Sequence, residues 1–203
     1  MLRLVFALTL AFAGAAYAKT ETAILAGGCF WCVESNFEGV PGVKDVVSGY
    51  TGGNSQNPTY DDHQGHYEAV KITFDSAKIS YADVINKFLR STDVTDAGGQ
   101  FCDRGNAYRS AIFAQNANQQ ATAKTEIAKA SADLGQKVVT PVLAAKTFWN
   151  AEAYHQNYYK STEVVLTRRG PKEKRNAYTF YRNACGRDAR VKQLWGSAAQ
   201  FIH

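Results

Sequence analysis

The residue best placed to do chemistry in this chain is Cys29, in the segment GGCFWCVE at residues 27–34. Residues 22–26 form a short apolar run typical of a buried strand, and helical spacing follows at Phe30, Val33 and Phe37. A thiol in the first turn of a helix lies near unpaired N–H groups and the positive end of the helix dipole. The sequence therefore predicts a lowered pKa for Cys29 and a thiolate nucleophile beside the rings of Phe30 and Trp31.

A carboxylate lies at the end of an apolar row in a second predicted strand, residues 66–75. Alternation places Glu68 on the face that also carries Val70, Ile72 and Phe74. Burial is costly for a carboxylate and raises its pKa. Glu68 is therefore a candidate neutral acid that donates a hydrogen bond or a proton to a substrate oxygen. From this strand alone, a glutamate that reaches solvent or pairs with an arginine is an equally good interpretation.

Two tyrosines stand on predicted loops, where their hydroxyls could bind a polarised oxygen. Tyr60 ends the segment NPTY before the strand of Glu68, and Tyr108 follows a glycine-containing loop over residues 92–107. Loops of that length are usually functional. Simple packing is the alternative, because the chain contains 11 tyrosines.

The four cysteines leave several redox interpretations open. Cys29 and Cys32 have the CxxC spacing of a redox pair, which indicates a disulfide oxidoreductase as one possibility. Four cysteines in an exported protein would by default form two structural disulfides, as in a secreted module without activity. A metal site is disfavoured, because no second pair of ligands has a matching spacing.

The N-terminus has the pattern of a signal peptide over residues 1–18. Arg3 precedes an apolar run at residues 4–13, and AYA at residues 16–18 is a typical cleavage site. The run is too short to cross a bilayer comfortably. We therefore expect export, to the periplasm in a Gram-negative source, no stable membrane insertion, and one domain over residues 19–203.

Basic residues are concentrated between residues 168 and 192. The chain has 203 residues and a formal net charge of +5, a length that suits one domain with a substantial core. No nucleic-acid recognition motif accompanies the charge. We predict a solvated basic face and no nucleic-acid site.

The order of predicted elements indicates an α+β fold. Strands at residues 42–50 and 66–75 are separated only by a polar loop, and helices alternate loosely with the other strands. We expect a two-layer sandwich with a mixed β-sheet flanked by helices and a ferredoxin-like core. The further predicted elements are a helix that begins at the Ser80-x-x-Asp83 capping box, a strand at residues 110–114, a helix at residues 116–134 that Gly135 ends, and a strand at residues 138–144.

Six motifs in order resemble the A-type methionine sulfoxide reductases, which reduce methionine-S-sulfoxide in peptides and as the free amino acid. They are GCFW at residues 28–31 with Glu34, GYTGG at 49–53, NPTY at 57–60, GHYEAV at 65–70, DxGxxYRS at 103–110 and AExYHQxY at 151–158. The resemblance extends over roughly residues 23–159.

The resemblance implies a role for each matching residue. Cys29 would attack the sulfoxide sulfur and become a sulfenic acid, while Phe30 and Trp31 would hold the S-methyl group. Glu68 would donate to the sulfoxide oxygen within a polar network that includes Tyr60, Asp103 and Tyr108. Glu34 and His155 match the motifs as well, and we interpret both as structural.

The resemblance also implies a thiol cycle without a metal or an organic cofactor. A second cysteine would condense with the sulfenic acid, and a thioredoxin-like thiol donor would reduce the resulting disulfide. We predict Cys185 as this resolving cysteine, ahead of Cys32 and then Cys102. The expected substrates are oxidised proteins and free methionine-S-sulfoxide, and we expect a monomer.

Overall fold

The computed structural model describes residues 19–203, so the leader predicted for residues 1–18 lies outside the described part. The strands are β1 Thr20–Gly27, β2 Val43–Thr51, β3 Tyr67–Asp75, β4 Gly99–Gln100, β5 Asp103–Arg104, β6 Ser110–Ala114, β7 Val142–Ala144, β8 Trp149–Asn150, β9 Val164–Thr167 and β10 Gly170–Glu173. The helices are α1 Phe30–Phe37, α2 Tyr81–Leu89, α3 Ala117–Leu134, α4 Lys174–Ala184 and α5 Arg187–Trp195. Within residues 19–203, no helix combines the length and apolar composition that crossing a membrane requires.

Six strands form one mixed sheet in the order β7-β6-β1-β3-β2-β8. Its pairs are antiparallel except for β6 and β7, which are parallel. The central four strands follow the order β6-β1-β3-β2, with α1 between β1 and β2 and α2 between β3 and β6. This is the βαββαβ arrangement of ferredoxin-like folds, so the predicted fold class is confirmed.

The main core lies between the sheet and the helices. On β3, Val70, Ile72 and Phe74 all face this core, as their alternation predicts. Phe37 of α1 and Phe88 of α2 pack into the same cluster and are fully buried. Burial of each of these aromatic side chains stabilises the fold by roughly 1.5–3 kcal/mol. The core thus fixes β3 and α1, the two elements that carry Glu68 and Cys29, against each other.

Helix caps lie where the sequence places them. The Ser80 side chain accepts from the Asp83 amide, and the Asp83 side chain accepts in return from the Ser80 amide. Asn116 caps α3 by accepting from the Gln119 amide at 2.9 Å, and Gly135 ends α3 in the left-handed conformation. These local contacts fix helix boundaries independently of tertiary packing.

Two predicted boundaries need correction. The strand predicted for residues 138–144 begins only at Val142, because Pro141 has no N–H to donate to the sheet. The loop predicted for residues 92–107 contains a two-stranded ribbon, in which Gln100 of β4 pairs with Asp103 of β5. This ribbon determines where Asp103 lies.

The basic C-terminal region is only partly the solvated face that we predicted. Lys174, Arg182 and Arg187 are buried. Lys174 pairs with Glu163, and Arg182 with Asp188. Buried cations persist where such partners compensate the loss of water. Arg182 also donates to Asn36 at 3.0 Å, and a contact between residues 146 positions apart is not visible in the charge pattern.

Candidate active site

A small pocket of about 60 Å³ lies at the N-terminus of α1. It brings together all seven catalytic and substrate-binding residues that the sequence predicts. Tyr181 of α4 is an eighth residue that the motifs did not indicate. The complete lining consists of Cys29, Phe30, Trp31, Tyr60, Glu68, Asp103, Tyr108 and Tyr181.

The turn from β1 into α1 places Cys29 in the pocket. Gly28 has φ +79°, and a Cβ atom there would lie 2.6 Å from Cβ of Gln100. Glycine is therefore the residue that this turn accommodates. Cys29 follows as the N-cap of α1, and its carbonyl accepts from the amide of Cys32 at 3.1 Å.

Glu68 lies opposite the first turn of α1. Its side chain is buried, and Oε2 accepts a hydrogen bond from the backbone N–H of Phe30 at 3.0 Å. Burial raises the pKa of Glu68 to about 8, although the Phe30 hydrogen bond opposes the shift. Glu68 is therefore a neutral carboxylic acid at pH 7, able to donate into the pocket.

The acidity of the thiols differs from the sequence prediction. Burial raises the pKa of Cys29 instead of lowering it. The lower pKa belongs to Cys32, where a hydrogen bond from Cys29 and the nearby cations Arg187 and Arg182 lower the pKa to about 6. The pair therefore holds a negative charge at neutral pH, centred on Cys32, and Cys29 is the thiolate only when its proton has moved to Cys32 within the hydrogen bond.

Hydroxyl groups surround the remaining side of the pocket. Burial raises the pKa values of Tyr60, Tyr108 and Tyr181, so all three remain protonated donors. The Tyr181 hydroxyl donates to Oδ2 of Asp103, and burial raises the pKa of that carboxyl group. The backbone N–H of Tyr60 is fixed by Glu152 Oε1 at 2.8 Å.

Aromatic rings form the apolar wall. Trp31 stacks on Tyr158 with centroids 3.9 Å apart. His155 is buried behind this wall, 5.1 Å from the Phe30 ring and 4.5 Å from the Tyr60 ring. Burial lowers the pKa of His155 to about 4, so the ring is neutral and contributes packing.

Glu34 points away from the pocket, in agreement with its interpretation as structural. It accepts from the Ser48 hydroxyl at 3.0 Å and from the Asn157 amide at 2.8 Å. These hydrogen bonds join α1 to β2 and to the segment that carries Tyr158.

The cysteines form two different pairs. Cys102 and Cys185 are joined by a disulfide with Cα atoms 5.0 Å apart, whereas Cys29 and Cys32 are free and buried. Of the sequence alternatives, the fold thus has one disulfide and one free CxxC pair. Cys102 adjoins Asp103, and Cys185 lies one helical turn beyond Tyr181, so the disulfide lies beside two pocket residues.

Two residues at or next to the site were not predicted from the sequence. Tyr181 lies 78 residues from its partner Asp103. Arg187 donates to the Gly27 carbonyl at 3.1 Å from 160 residues away. Both belong to C-terminal helices outside the recognised motifs, and no local pattern distinguishes them. Within the described residues, no group of three or more His, Cys, Asp or Glu could hold a metal ion.

Comparisons with known proteins agree with this geometry. Residues 21–193 match the family model described as peptide methionine sulfoxide reductase. The chain is 49% identical over 184 residues to peptide methionine sulfoxide reductase MsrA 2 of Rhizobium meliloti, covering 90% of this chain and 87% of the relative.

Solved structures show the same fold. Methionine sulfoxide reductase A of Corynebacterium diphtheriae superposes with a TM-score of 0.65 at 29% identity, over 68% of this chain and 73% of that chain. Reduced Mxr1 of Saccharomyces cerevisiae superposes with a TM-score of 0.64 at 25% identity, over 69% and 84% of the two chains.

Proposed function

The chain belongs to the peptide methionine sulfoxide reductase family, and we propose how its own residues carry out the reduction of methionine-S-sulfoxide. The observation that carries the proposal is the meeting of Cys29, the neutral Glu68 and tyrosine hydroxyls in one pocket. A sulfoxide has an electrophilic sulfur and a basic oxygen, and this pocket offers a nucleophile for the first and proton donors for the second.

The first step transfers oxygen from the substrate to Cys29. The Cys29 thiolate attacks the sulfoxide sulfur, while Glu68 donates a proton to the sulfoxide oxygen. The hydroxyl group then moves from the substrate sulfur to Cys29 as the bond between the two sulfur atoms breaks, so that methionine leaves as a thioether and Cys29 becomes a sulfenic acid. Tyr60 and Tyr108 hydrogen-bond the oxygen, and the rings of Phe30 and Trp31 receive the S-methyl group.

Cys32 is the thiol that we propose for the second step. It shares a hydrogen bond with Cys29, whereas the sulfur of Cys185, the first choice from sequence, is bonded to Cys102 in this state. Attack of the Cys32 thiolate on the sulfenic acid forms the Cys29–Cys32 disulfide, and the departing hydroxide leaves as water after taking up the proton that the Cys32 thiol gave up. The lowered pKa of Cys32 supplies the thiolate at neutral pH.

Cys102 and Cys185 then serve as an outer dithiol. Exchange with the inner disulfide would return Cys29 and Cys32 to thiols and leave the Cys102–Cys185 disulfide. The structure has this combination of redox states. Because Cys102 is exposed, a thioredoxin-like dithiol can reach the outer disulfide and reduce it. The cycle runs on thiols alone and needs no metal or organic cofactor.

We further propose that the enzyme works in the periplasm after removal of residues 1–18. That compartment is kept oxidising, so the electrons must come from the cytoplasm through a membrane relay to a thioredoxin-like domain. Mass spectrometry of the secreted protein tests the cleavage, with Lys19 expected as the first residue. An N-terminal Met1 in the secreted protein would contradict export by this route.

The activity is tested with the separate S and R epimers of a methionine sulfoxide peptide, with dithiothreitol as reductant. We expect rapid loss of the S epimer only, and no reduction by Cys29→Ser. A folded wild-type enzyme that reduces neither epimer would contradict the proposal and favour a disulfide oxidoreductase, which insulin reduction would then reveal.

The order of the thiol steps is tested by peptide mapping after one turnover without reductant, starting from fully reduced protein. Quenching with a thiol-blocking reagent at short times should trap Cys29–Cys32 first and Cys102–Cys185 later. A Cys29–Cys185 link that forms first would contradict the assignment of Cys32 and restore Cys185.

A further inference from the structure

A groove of about 610 Å³ lies between the β9–β10 hairpin and α4, outside the active-site pocket. Three exposed cations line it, Arg168, Arg169 and Lys172, together with the ring of Phe180. The Arg169 guanidinium lies 4.1 Å from the centroid of the Phe180 ring, a contact that fixes this cation at the wall.

The three groove cations have no ion-pair partner in the described part of the chain, and they lie together on one concave surface. Within residues 19–203, salt bridges engage Lys174, Arg175, Arg182 and Arg190, but none engages a groove cation. Arg168, Arg169 and Lys172 therefore produce an uncompensated positive potential in a concave space, which attracts an anionic ligand.

The groove lies close to the active-site pocket, because both are lined by helix α4. α4 carries Phe180 in the groove and the next residue, Tyr181, in the active-site pocket. A helix with side chains is about 10–12 Å across, and an extended chain covers about 3.4 Å per residue. A polypeptide whose oxidised methionine occupies the pocket thus reaches the groove about three to four residues away.

We propose that this groove binds an acidic segment that flanks methionine sulfoxide in protein substrates. The inference rests on the proposed function, since it places the oxidised side chain in the Cys29 pocket. Aspartate and glutamate side chains complement the three cations, and a concave surface suits a polypeptide chain better than the flat surface of a bilayer. The enzyme therefore prefers oxidised methionines near acidic sequence.

The proposal is tested with peptides that carry methionine-S-sulfoxide, a three-glycine spacer and either Glu-Asp-Glu or Gln-Asn-Gln, on the N- or the C-terminal side. On one side, we expect kcat/KM about three- to tenfold higher for the acidic peptide, the product of three exposed ion pairs. The preference should disappear in 1 M salt. Equal rates for all four peptides would overturn the proposal.

Two variants of equal net charge locate the effect. The groove variant, Arg168→Glu/Arg169→Glu/Lys172→Glu, reverses the charge of the groove. The control variant replaces three exposed lysines elsewhere by glutamate, at Lys78, Lys124 and Lys137. Only the groove variant should lose the preference, and both should reduce free methionine-S-sulfoxide at the wild-type rate. Equal losses in both variants would show a general charge effect and overturn the proposal. If the groove variant misfolds, the three glutamine substitutions replace it.

A binding measurement separates this proposal from the catalytic one. A fluorescein-labelled acidic peptide with norleucine in place of the oxidised methionine should bind wild type and the control variant, and bind the groove variant at least threefold more weakly. This result needs no turnover, so it stands or fails independently of the reductase activity. If the groove variant instead loses binding only to vesicles of anionic phospholipid, the groove is a membrane contact and the proposal is overturned.

Discussion

The two cysteine pairs differ in every property that determines thiol chemistry. Cys29 and Cys32 are 5% and 1% exposed, form no disulfide, and lie at the start of a helix next to buried cations. Cys102 and Cys185 are bonded to each other at the surface, where they join β5 to the end of α4. One environment activates sulfur toward a substrate, and the other exposes a disulfide to a reductant.

This difference shows that cysteine spacing alone does not assign roles. CxxC spacing suggested a general redox pair, yet the inner pair is enclosed by a pocket too small for a protein partner. The pair 83 residues apart is the accessible one. Electrons that reduce the substrate must therefore pass from the outer cysteine pair to the inner pair. The substitutions below each test the role of one of these two regions.

The largest effect is expected when the inner nucleophile is removed. Cys29→Ser should lower kcat by about 10³-fold or more, because no other group in the pocket can accept the sulfoxide oxygen. The measurement is reduction of the S epimer with dithiothreitol. Cys32→Ser serves as the matched control and should lose much less turnover: it removes the charge that Cys32 shares with Cys29 but keeps the nucleophile, and dithiothreitol can reduce the Cys29 sulfenic acid directly. Equal losses in both variants would contradict the assignment of Cys29 as the nucleophile and Cys32 as the resolving thiol.

Glu68→Gln should lower kcat by about 10²-fold, since the amide keeps the shape but has no proton to transfer. The wild-type rate should rise as the pH increases through about 6, the pKa of Cys32, and fall through about 8, the pKa of Glu68. The variant should lose the alkaline limb of this profile and keep the acid limb. If the rate of the variant still falls above pH 8, this decrease belongs to a group other than Glu68.

The same substitution has an opposite effect on stability. Because the pKa of Glu68 is raised on folding, the native state binds its proton more tightly than the unfolded chain. Stability therefore falls as the pH rises from about 4.5 to about 8. Urea unfolding at pH 8 should show Glu68→Gln to be more stable than wild type, with a smaller difference at pH 5. A loss of stability at both pH values would indicate a purely structural glutamate.

The sequence reveals the inner pair better than the outer pair for a physical reason. Cys29 and Glu68 each lie at the end of a strand with a clear local pattern, and the ferredoxin-like order of β1, β3 and α1 brings them together. The pairing of Cys102 with Cys185 depends on how α4 packs, which no local pattern encodes. The prediction of a lowered pKa for Cys29 is wrong, because burial and the neighbouring Cys32 raise this pKa by more than the helix N-terminus lowers it.

Removal of the outer disulfide should separate recycling from chemistry. Cys185→Ser should keep turnover with dithiothreitol within about twofold of wild type, while turnover with a thioredoxin-like donor falls about tenfold because the exposed disulfide is lost. Its unfolding free energy should fall by about 2–4 kcal/mol, as for other long-range disulfides. Full activity with the protein donor would show that the outer pair is only structural.

The smallest effect concerns the residue that joins the two regions. Tyr181→Phe removes the hydroxyl that donates to Asp103, so kcat should fall about three- to tenfold, in line with the net value of one hydrogen bond. Tyr159→Phe is the matched control, because its hydroxyl donates to Glu38 away from the pocket. Steady-state kinetics with dithiothreitol should show a loss for the first variant only. Cys185 lies one turn beyond Tyr181 at the end of the same helix. A loss of activity confined to Tyr181→Phe would therefore show that the region around the outer disulfide also helps to order the pocket. Equal rates in both variants would leave thiol exchange as the sole link between the two cysteine pairs.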